Sequence, residues 1–233
     1  MMRVLGLVPA RAGRPRTIRS LAGRPLLDYT AEVALKARRV SRVILSTEDP
    51  EIASVGARCG LEVPFLRPKE FARRNVPAIN VVRHALEWIE GRGEHIDAVC
   101  LLPPTSPFRR PEEIDGSIEL LERCDADAVV TVRAVPPEHD PRRVYFRSAQ
   151  GYLRPATGGK KPIPRRRNLP AAFWFDGSVS VTRRDVIVEQ NSLSGRALLG
   201  YVLEGQPRME LKGLDDWGLA EELLRSHPIR TAP

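Results

Sequence analysis

Two rhythms of apolar and polar residues alternate along this chain. Nearly continuous apolar runs cover Arg3–Val8, Arg42–Ser46, Glu62–Phe65, Ala98–Leu102 and Ala128–Val132, as expected of parallel strands buried on both faces. Between them, apolar residues recur at helical spacing. Leu26–Lys36 follows Pro25, a residue suited to a first helical turn. Pro50–Cys59 carries Ile52, Val55 and Cys59 on one face and stops at Gly60, a helix-ending glycine. Asn80–Glu90 aligns Val81, Val82, Ala85, Leu86 and Ile89 before Gly91, and Glu112–Arg123 aligns Ile114, Ile118 and Leu121. This β-α-β-α order predicts a doubly wound α/β sheet.

After residue 135 the rhythm breaks. Pro136–Leu169 is rich in Pro, Gly and Arg, with strand-like pieces only near Val144–Phe146 and Gly151–Leu153. Residues 136–170 are therefore expected to be an excursion, a lid or an oligomer contact, within one domain over 1–233. Phe173–Thr182 alternates and reads as a strand, as does Leu198–Leu203. Asp215–Ser226 reads as a final helix, capped by Asp215 or Asp216, with Trp217, Ala220 and Leu224 inward.

Composition narrows the class. A chain of 233 residues with 42% hydrophobic content can bury a sizeable core. No apolar run approaches the ~18 residues of a membrane span, and the N-terminus enters a strand-like segment without a signal-peptide pattern. The three cysteines, Cys59, Cys100 and Cys124, are widely spaced in apolar contexts. They are expected to be free thiols of a cytoplasmic protein. The histidines His84, His95, His139 and His227 are scattered, without a metal-binding motif. The net charge of +8 suits either nucleic acid or an anionic small substrate. Basic runs such as Arg73-Arg74 and Arg165-Arg166-Arg167 lack interleaved aromatics, and aromatics make up only 6% of the chain, which argues against nucleic acid.

Ligands of doubly wound sheets sit beyond the carboxyl ends of the strands. Here those ends carry Ala10–Thr17, Thr47–Asp49, Arg67 and Pro103–Arg110. The first is a short loop with Gly13, Pro15 and three arginines. Glycine permits close backbone approach, exposed N–H groups donate, and arginine forks pair with phosphate oxygens. An ordinary strand-to-helix turn has the same appearance. Neither G-x-G-x-x-G nor G-x-x-x-x-G-K-[ST] occurs.

Several segments, in order, resemble the acylneuraminate cytidylyltransferases, the CMP-sialic acid synthetases. They are VPARAG (Val8–Gly13), LAGRPLLDYT (Leu21–Thr30), STEDPEIA (Ser46–Ala53), VPFLRPKEFA (Val63–Ala72), LLPPTSPFR (Leu101–Arg109), RRRNLPAAF (Arg165–Phe173) and DGSVSVTRRD (Asp176–Asp185). The resemblance implies a Rossmann-like, mostly parallel sheet of the nucleotide-diphospho-sugar transferase type and a homodimer formed through the excursion. It implies transfer of a cytidylyl group from CTP to a 2-keto acid sugar, with Mg2+ offsetting charge. Such transfer rests on positioning and positive charge. By resemblance, Arg11 and Arg16 are catalytic, and Ala10, Arg11, Ala12, Gly13 and Arg14 hold the triphosphate. Arg67, Val76 and Ala78 face the base. Thr105, Ser106, Arg109, Arg166, Trp174 and Asp176 belong to the sugar side, where an arginine fork suits a carboxylate.

The departures cluster at strand ends. The loop after Gly13 is shorter than the family's and lacks its lysines and asparagine. Pro103 replaces a glutamine, Arg74 an aspartate, and Trp174-Phe175-Asp176-Gly177 an R-x-N-G. The family's D-x-D metal pair reads Glu210 and Lys212, leaving Glu210 as the implied metal ligand. Trp174 either stacks on a sugar or base or packs in the strand, and Asp176 beside Arg166 suggests an ion pair. A cytidylyltransferase of sialic-acid-like nonulosonates, a sugar nucleotidyltransferase with changed nucleotide or sugar, and a catalytically degenerate nucleotide-binding homologue all remain open at this point.

Overall fold

The computed structural model describes residues 1–12, 17–158, 170–205, 209–211, 213 and 215–226. Strand β1 (Val4–Pro9) leads to a hairpin of β2 (Ser20–Leu21) and β3 (Arg24–Pro25), then to helix α1 (Leu26–Lys36). Next come β4 (Arg42–Ser46), α2 (Pro50–Arg58), α3 (Ala78–Glu90), β5 (Ala98–Leu101), α4 (Pro111–Arg123) and β6 (Ala128–Ala134). A separate antiparallel pair, β7 (Tyr145–Arg147) and β8 (Leu153–Pro155), precedes β9 (Phe173–Arg183), α5 (Arg184–Glu189), β10 (Leu198–Val202) and α6 (Asp216–Ser226). The six-stranded central sheet has the order β10-β6-β9-β5-β1-β4. Pairings β1–β4, β1–β5 and β6–β10 are parallel, whereas β9 runs antiparallel between β5 and β6. The sheet is thus mostly parallel and Rossmann-like.

The apolar runs are continuous because helices cover both faces. Val4 and Val8 of β1 pack with Leu27 and Ala31 of α1, Ile52 and Val55 of α2, and Ile114 and Ile118 of α4. Leu5 and Leu7 point the other way, toward Val82, Ala85 and Leu86 of α3 and Ile187 of α5. Alternate residues of one strand therefore feed two separate cores. At Gly6 the strand lies so close to its neighbours that a Cβ would come within 2.9 Å of Val40 Cγ1. A third cluster seats Trp217 and Ala220 of α6 against Leu21, Leu26 and Tyr29.

The structure differs from the sequence expectations at several points. Glu62–Phe65 is no strand: only Glu62 and Leu66 form isolated bridges, to Ile44 and Thr47. Pro64 lies between them with no N–H to give a ladder. Helix α1 starts at Leu26 directly after Pro25, as expected, but the residues before it form a hairpin. Ala22 (φ 48°) and Gly23 (φ 85°) form a two-residue hairpin turn with both φ values positive, and Pro25 both ends β3 and caps α1. Helix α3 begins at Ala78, ahead of Asn80. Trp174 is 49% exposed, and Phe173 and Phe175 are exposed beside it, so the start of strand β9 is not core.

Candidate active site

The carboxyl ends of β1, β4 and β5 share one edge of the sheet. Because β9 is antiparallel, its beginning, Phe173–Ser178, lies at that same edge. Two groups of polar side chains form there.

The first gathers at the ends of β1 and β4. The Ala10 amide donates to Ser46 O at 3.0 Å, and the Arg67 amide donates to Thr47 O at 2.7 Å. Arg67 is 4% exposed. Its Nη2 donates to Ala10 O at 2.8 Å and to Glu48 Oε2 at 2.6 Å. The other carboxylate oxygen of Glu48 accepts the Ala12 amide at 2.7 Å. Arg67 Nε is buried and has no hydrogen-bond partner among the described residues. Arg11 Nη1 donates to Arg73 O at 3.2 Å, which brings residues 73–78 beside the loop. Val76 is half-buried there, its amide donating to Arg73 O at 3.2 Å, and Ala78 opens α3 with an exposed N-terminus.

The second group lines a small, open cleft formed by Ser106, Phe108, Arg109, Asp176, Ser178, Met209 and Glu210. Thr105 stands at its rim: its Oγ1 donates to Glu210 Oε1 at 3.4 Å, and its carbonyl accepts the Leu211 amide at 2.8 Å. Arg109 is 1% exposed. Its guanidinium donates to Ser178 O (2.7 Å), Pro103 O (2.6 Å) and Thr30 Oγ1 (3.3 Å), so it builds the wall of the cleft from behind. Asp176 accepts from Arg133 Nε at 2.7 Å and from the Ser178 amide at 3.3 Å. The described partner of Asp176 is therefore Arg133. Arg133 Nη2 is buried and has no hydrogen-bond partner among the described residues.

Of the residues singled out in the sequence, Ala10, Arg11, Ala12 and Arg67 come together in the first group, with Val76 and Ala78 alongside. Thr105, Ser106, Arg109, Asp176 and Glu210 come together in the second. Gly13, Arg14, Arg16, Arg166 and Lys212 lie outside the described residues. Trp174 pairs in register with Arg133 on the exposed start of β9. Glu48 and Arg133 were not singled out. Glu48 stands inside the motif STEDPEIA, where an acid at a strand end was a signal; Arg133, one arginine among many, gave none. Among the described residues no group of three His, Cys, Asp or Glu side chains is placed to hold a metal.

The sequence profile of the family described as cytidylyltransferase matches residues 5–143. The chain is 30% identical over 229 residues to the CMP-N,N'-diacetyllegionaminic acid synthase of Legionella pneumophila, covering 96% of this chain and 97% of that protein. It is 23% identical over 222 residues to the N-acylneuraminate cytidylyltransferase of Escherichia coli, covering 94% of this chain but 51% of that protein. A solved structure of CMP:2-keto-3-deoxy-manno-octonic acid synthetase complexed with CTP superposes with a TM-score of 0.68, covering 96% of this chain and 99% of that one at 16% identity. That likeness is one of fold. The sheet, its ligand edge and these matches define a nucleotidyltransferase. Within that class, the chain belongs to the cytidylyltransferase family.

Proposed function

We propose that this enzyme joins CTP to a 2-keto acid sugar of the nonulosonate class, giving a CMP-sugar and pyrophosphate. The observation that carries the reading is the shared strand-end edge, where a basic, backbone-lined corner (Ala10–Ala12 with Arg11 and Arg67) stands beside a cleft holding Glu210. The names of the relatives supply the substrate class. An anomeric hydroxyl oxygen of the sugar attacks the α-phosphorus of CTP. The new O–P bond forms as the α–β anhydride bond breaks, pyrophosphate leaves, and the hydroxyl proton passes to water.

In this reading Arg11 and Arg16 stabilise the charge that develops on the phosphates, with the backbone of Ala10–Gly13 and Arg14 beside them. Arg67, Val76 and Ala78 face the cytosine. Thr105, Ser106, Asp176, Arg166 and Trp174 face the sugar, and Arg109 shapes that side by fixing the loop behind it. Magnesium in nucleotide sites is held by one or two carboxylates plus phosphate oxygens, and the donor set fits: Glu210, exposed at the cleft, would hold the ion. When bound, magnesium offsets the charge of the phosphates. Cytoplasmic location accords with three free cysteines and with the absence, among the described residues, of any helix long and apolar enough to cross a membrane. One domain over 1–233, dimerising through 136–170, completes the proposal. Its support is the exposed apolar surface of β7, β8 and early β9.

The test is a thermal-shift panel of nucleotides with and without magnesium, since a ligand bound to the folded state raises the melting temperature by mass action. Selective stabilisation by CTP is expected, followed by pyrophosphate release on addition of an acid sugar. No shift with any nucleotide would overturn the assignment.

A further inference from the structure

Glu48 is a carboxylate in the basic corner, and it touches both halves of it. Its backbone is pinned on either side. Thr47, fully buried, gives its carbonyl to the Arg67 amide. Asp49 caps α2 by accepting from the amides of Glu51 and Ile52. With the main chain fixed, the side chain extends between two donors: Oε1 takes the Ala12 amide at 2.7 Å, and Oε2 takes Arg67 Nη2 at 2.6 Å. The same Nη2 donates to Ala10 O at 2.8 Å. A closed ring of hydrogen bonds therefore runs from the loop backbone through Glu48 to Arg67 and back to the loop.

We propose that Glu48 is a positioning residue that couples the phosphate-side loop to the base-side arginine, so that the orientation of Ala12 and that of Arg67 are set together. The proposal rests on the nucleotide reading given above. Charge-assisted hydrogen bonds are short and directional, and the Glu48 side chain is 10% exposed against 3% for Arg67, so water competes little for either oxygen. The pair neutralises Arg67, so in this corner positive charge toward a triphosphate comes from Arg11. An arginine held at a fixed angle distinguishes cytosine, whose N3 accepts, from uracil, whose N3–H donates. A tilted arginine does not. Neither Gln nor Asp reproduces the ring. Gln keeps an acceptor for Ala12 but turns an NH2 donor toward Arg67 Nη2. Asp keeps the charge but is one methylene too short to reach both donors.

The experiment measures binding of CTP, UTP and inorganic tripolyphosphate by calorimetry to wild type, E48Q and E48D, with near-UV circular dichroism as the check on folding. Wild type is expected to prefer CTP over UTP, and both variants to lose at least about tenfold of that preference. Arg67→Gln in an E48Q background is expected to cost little more, because the two residues act as one unit. Folded variants whose CTP-over-UTP preference stays within about twofold of wild type overturn the coupling while leaving the nucleotide reading intact. A wild-type chain that binds none of the three ligands takes down the nucleotide reading itself and the coupling with it. Failure of both variants to fold assigns Glu48 to fold maintenance and overturns the proposal.

Discussion

Arg11 shows how a residue at a strand end is readied for a ligand. One of its guanidinium nitrogens is parked on the Arg73 carbonyl at 3.2 Å, and among the described residues no carboxylate pairs with it. Arg11→Ala is therefore expected to weaken CTP binding by about 1.5–3 kcal/mol, the range for a charged hydrogen bond to phosphate. Calorimetric titration measures this, and an unchanged affinity removes Arg11 from the site. Arg109 carries the opposite lesson. In sequence it is an arginine in P-T-S-P-x-R at a strand end, indistinguishable from a ligand-binding one. In the fold its donors serve Ser178 O, Pro103 O and Thr30. Identity was legible; the direction of the side chain depends on which carbonyls the rest of the chain brings near. The cysteines give a second check at this scale. Burial pushes the Cys100 thiol up to about 12 and the Cys59 thiol up to about 11. The thiolate is the reactive form, so iodoacetamide at pH 8 is expected to leave Cys100 unlabelled in the native protein and to label it in urea, read by mass spectrometry. Because the folded-state values lie above the unfolded thiol value, the thiols' contribution to stability is complete below about pH 9 and is lost as pH rises through 11 to 12.

Among the elements, the hairpin β2–β3 offers the cleanest prediction. Its turn places Ala22 at φ 48°, a left-handed conformation that costs an alanine roughly 1 kcal/mol, while Gly23 at φ 85° bears no such cost. Asn-Gly is the preferred pair for this turn. Ala22→Asn is expected to stabilise the protein by about 0.5–1 kcal/mol, and urea unfolding monitored by circular dichroism measures it. Two-residue strands leave no periodicity to read, and Leu-Ala-Gly-Arg lacks the Asn or Asp that would announce the turn, so this hairpin was not legible. The buried strands were, since covering both faces forces continuous apolar runs. The direction of β9 was not: alternation reports which faces are buried and says nothing of which way the strand runs. That direction matters, because it carries Asp176 and Ser178 to the ligand edge. At the site, the strand ends themselves were legible. The bond from Arg133 to Asp176 and the ring through Glu48 were not, since each joins residues that only tertiary structure brings together.

For the molecule as a whole, the unexplained quantity is apolar surface. Phe146 (67% exposed) on β7, Tyr152 (74%) just before β8, Leu153 (62%) on β8 and Phe175 (66%) at the start of β9 stand in water. Single exposed apolar residues are ordinary, but a run of large aromatic ones marks a contact surface. The two parts are tied together: Arg142 Nη2 donates to Pro170 O at 2.8 Å, and the Val135 amide donates to Ala172 O at 2.8 Å. The β7–β8 pair thus lies next to the segment leading into β9. An isologous pairing of two chains through this surface would bury it on both at once. Wild type is accordingly expected to sediment as a dimer, and Phe146→Glu to shift it toward monomer. Loss of a central aromatic anchor costs about 2 kcal/mol or more, roughly a thirtyfold weaker association. Activity should follow association, because Phe173–Phe175 directly precede Asp176 of the cleft. Covering Phe173–Phe175 is expected to reinforce the pairing of early β9 with β6 that places Trp174 and Asp176. The specific activity of Phe146→Glu should therefore fall at low protein concentration and recover partly at high concentration, while that of wild type stays constant over the same range. A wild-type chain that sediments as a monomer at every concentration, or a Phe146→Glu variant that remains dimeric, would refute dimerisation through this surface.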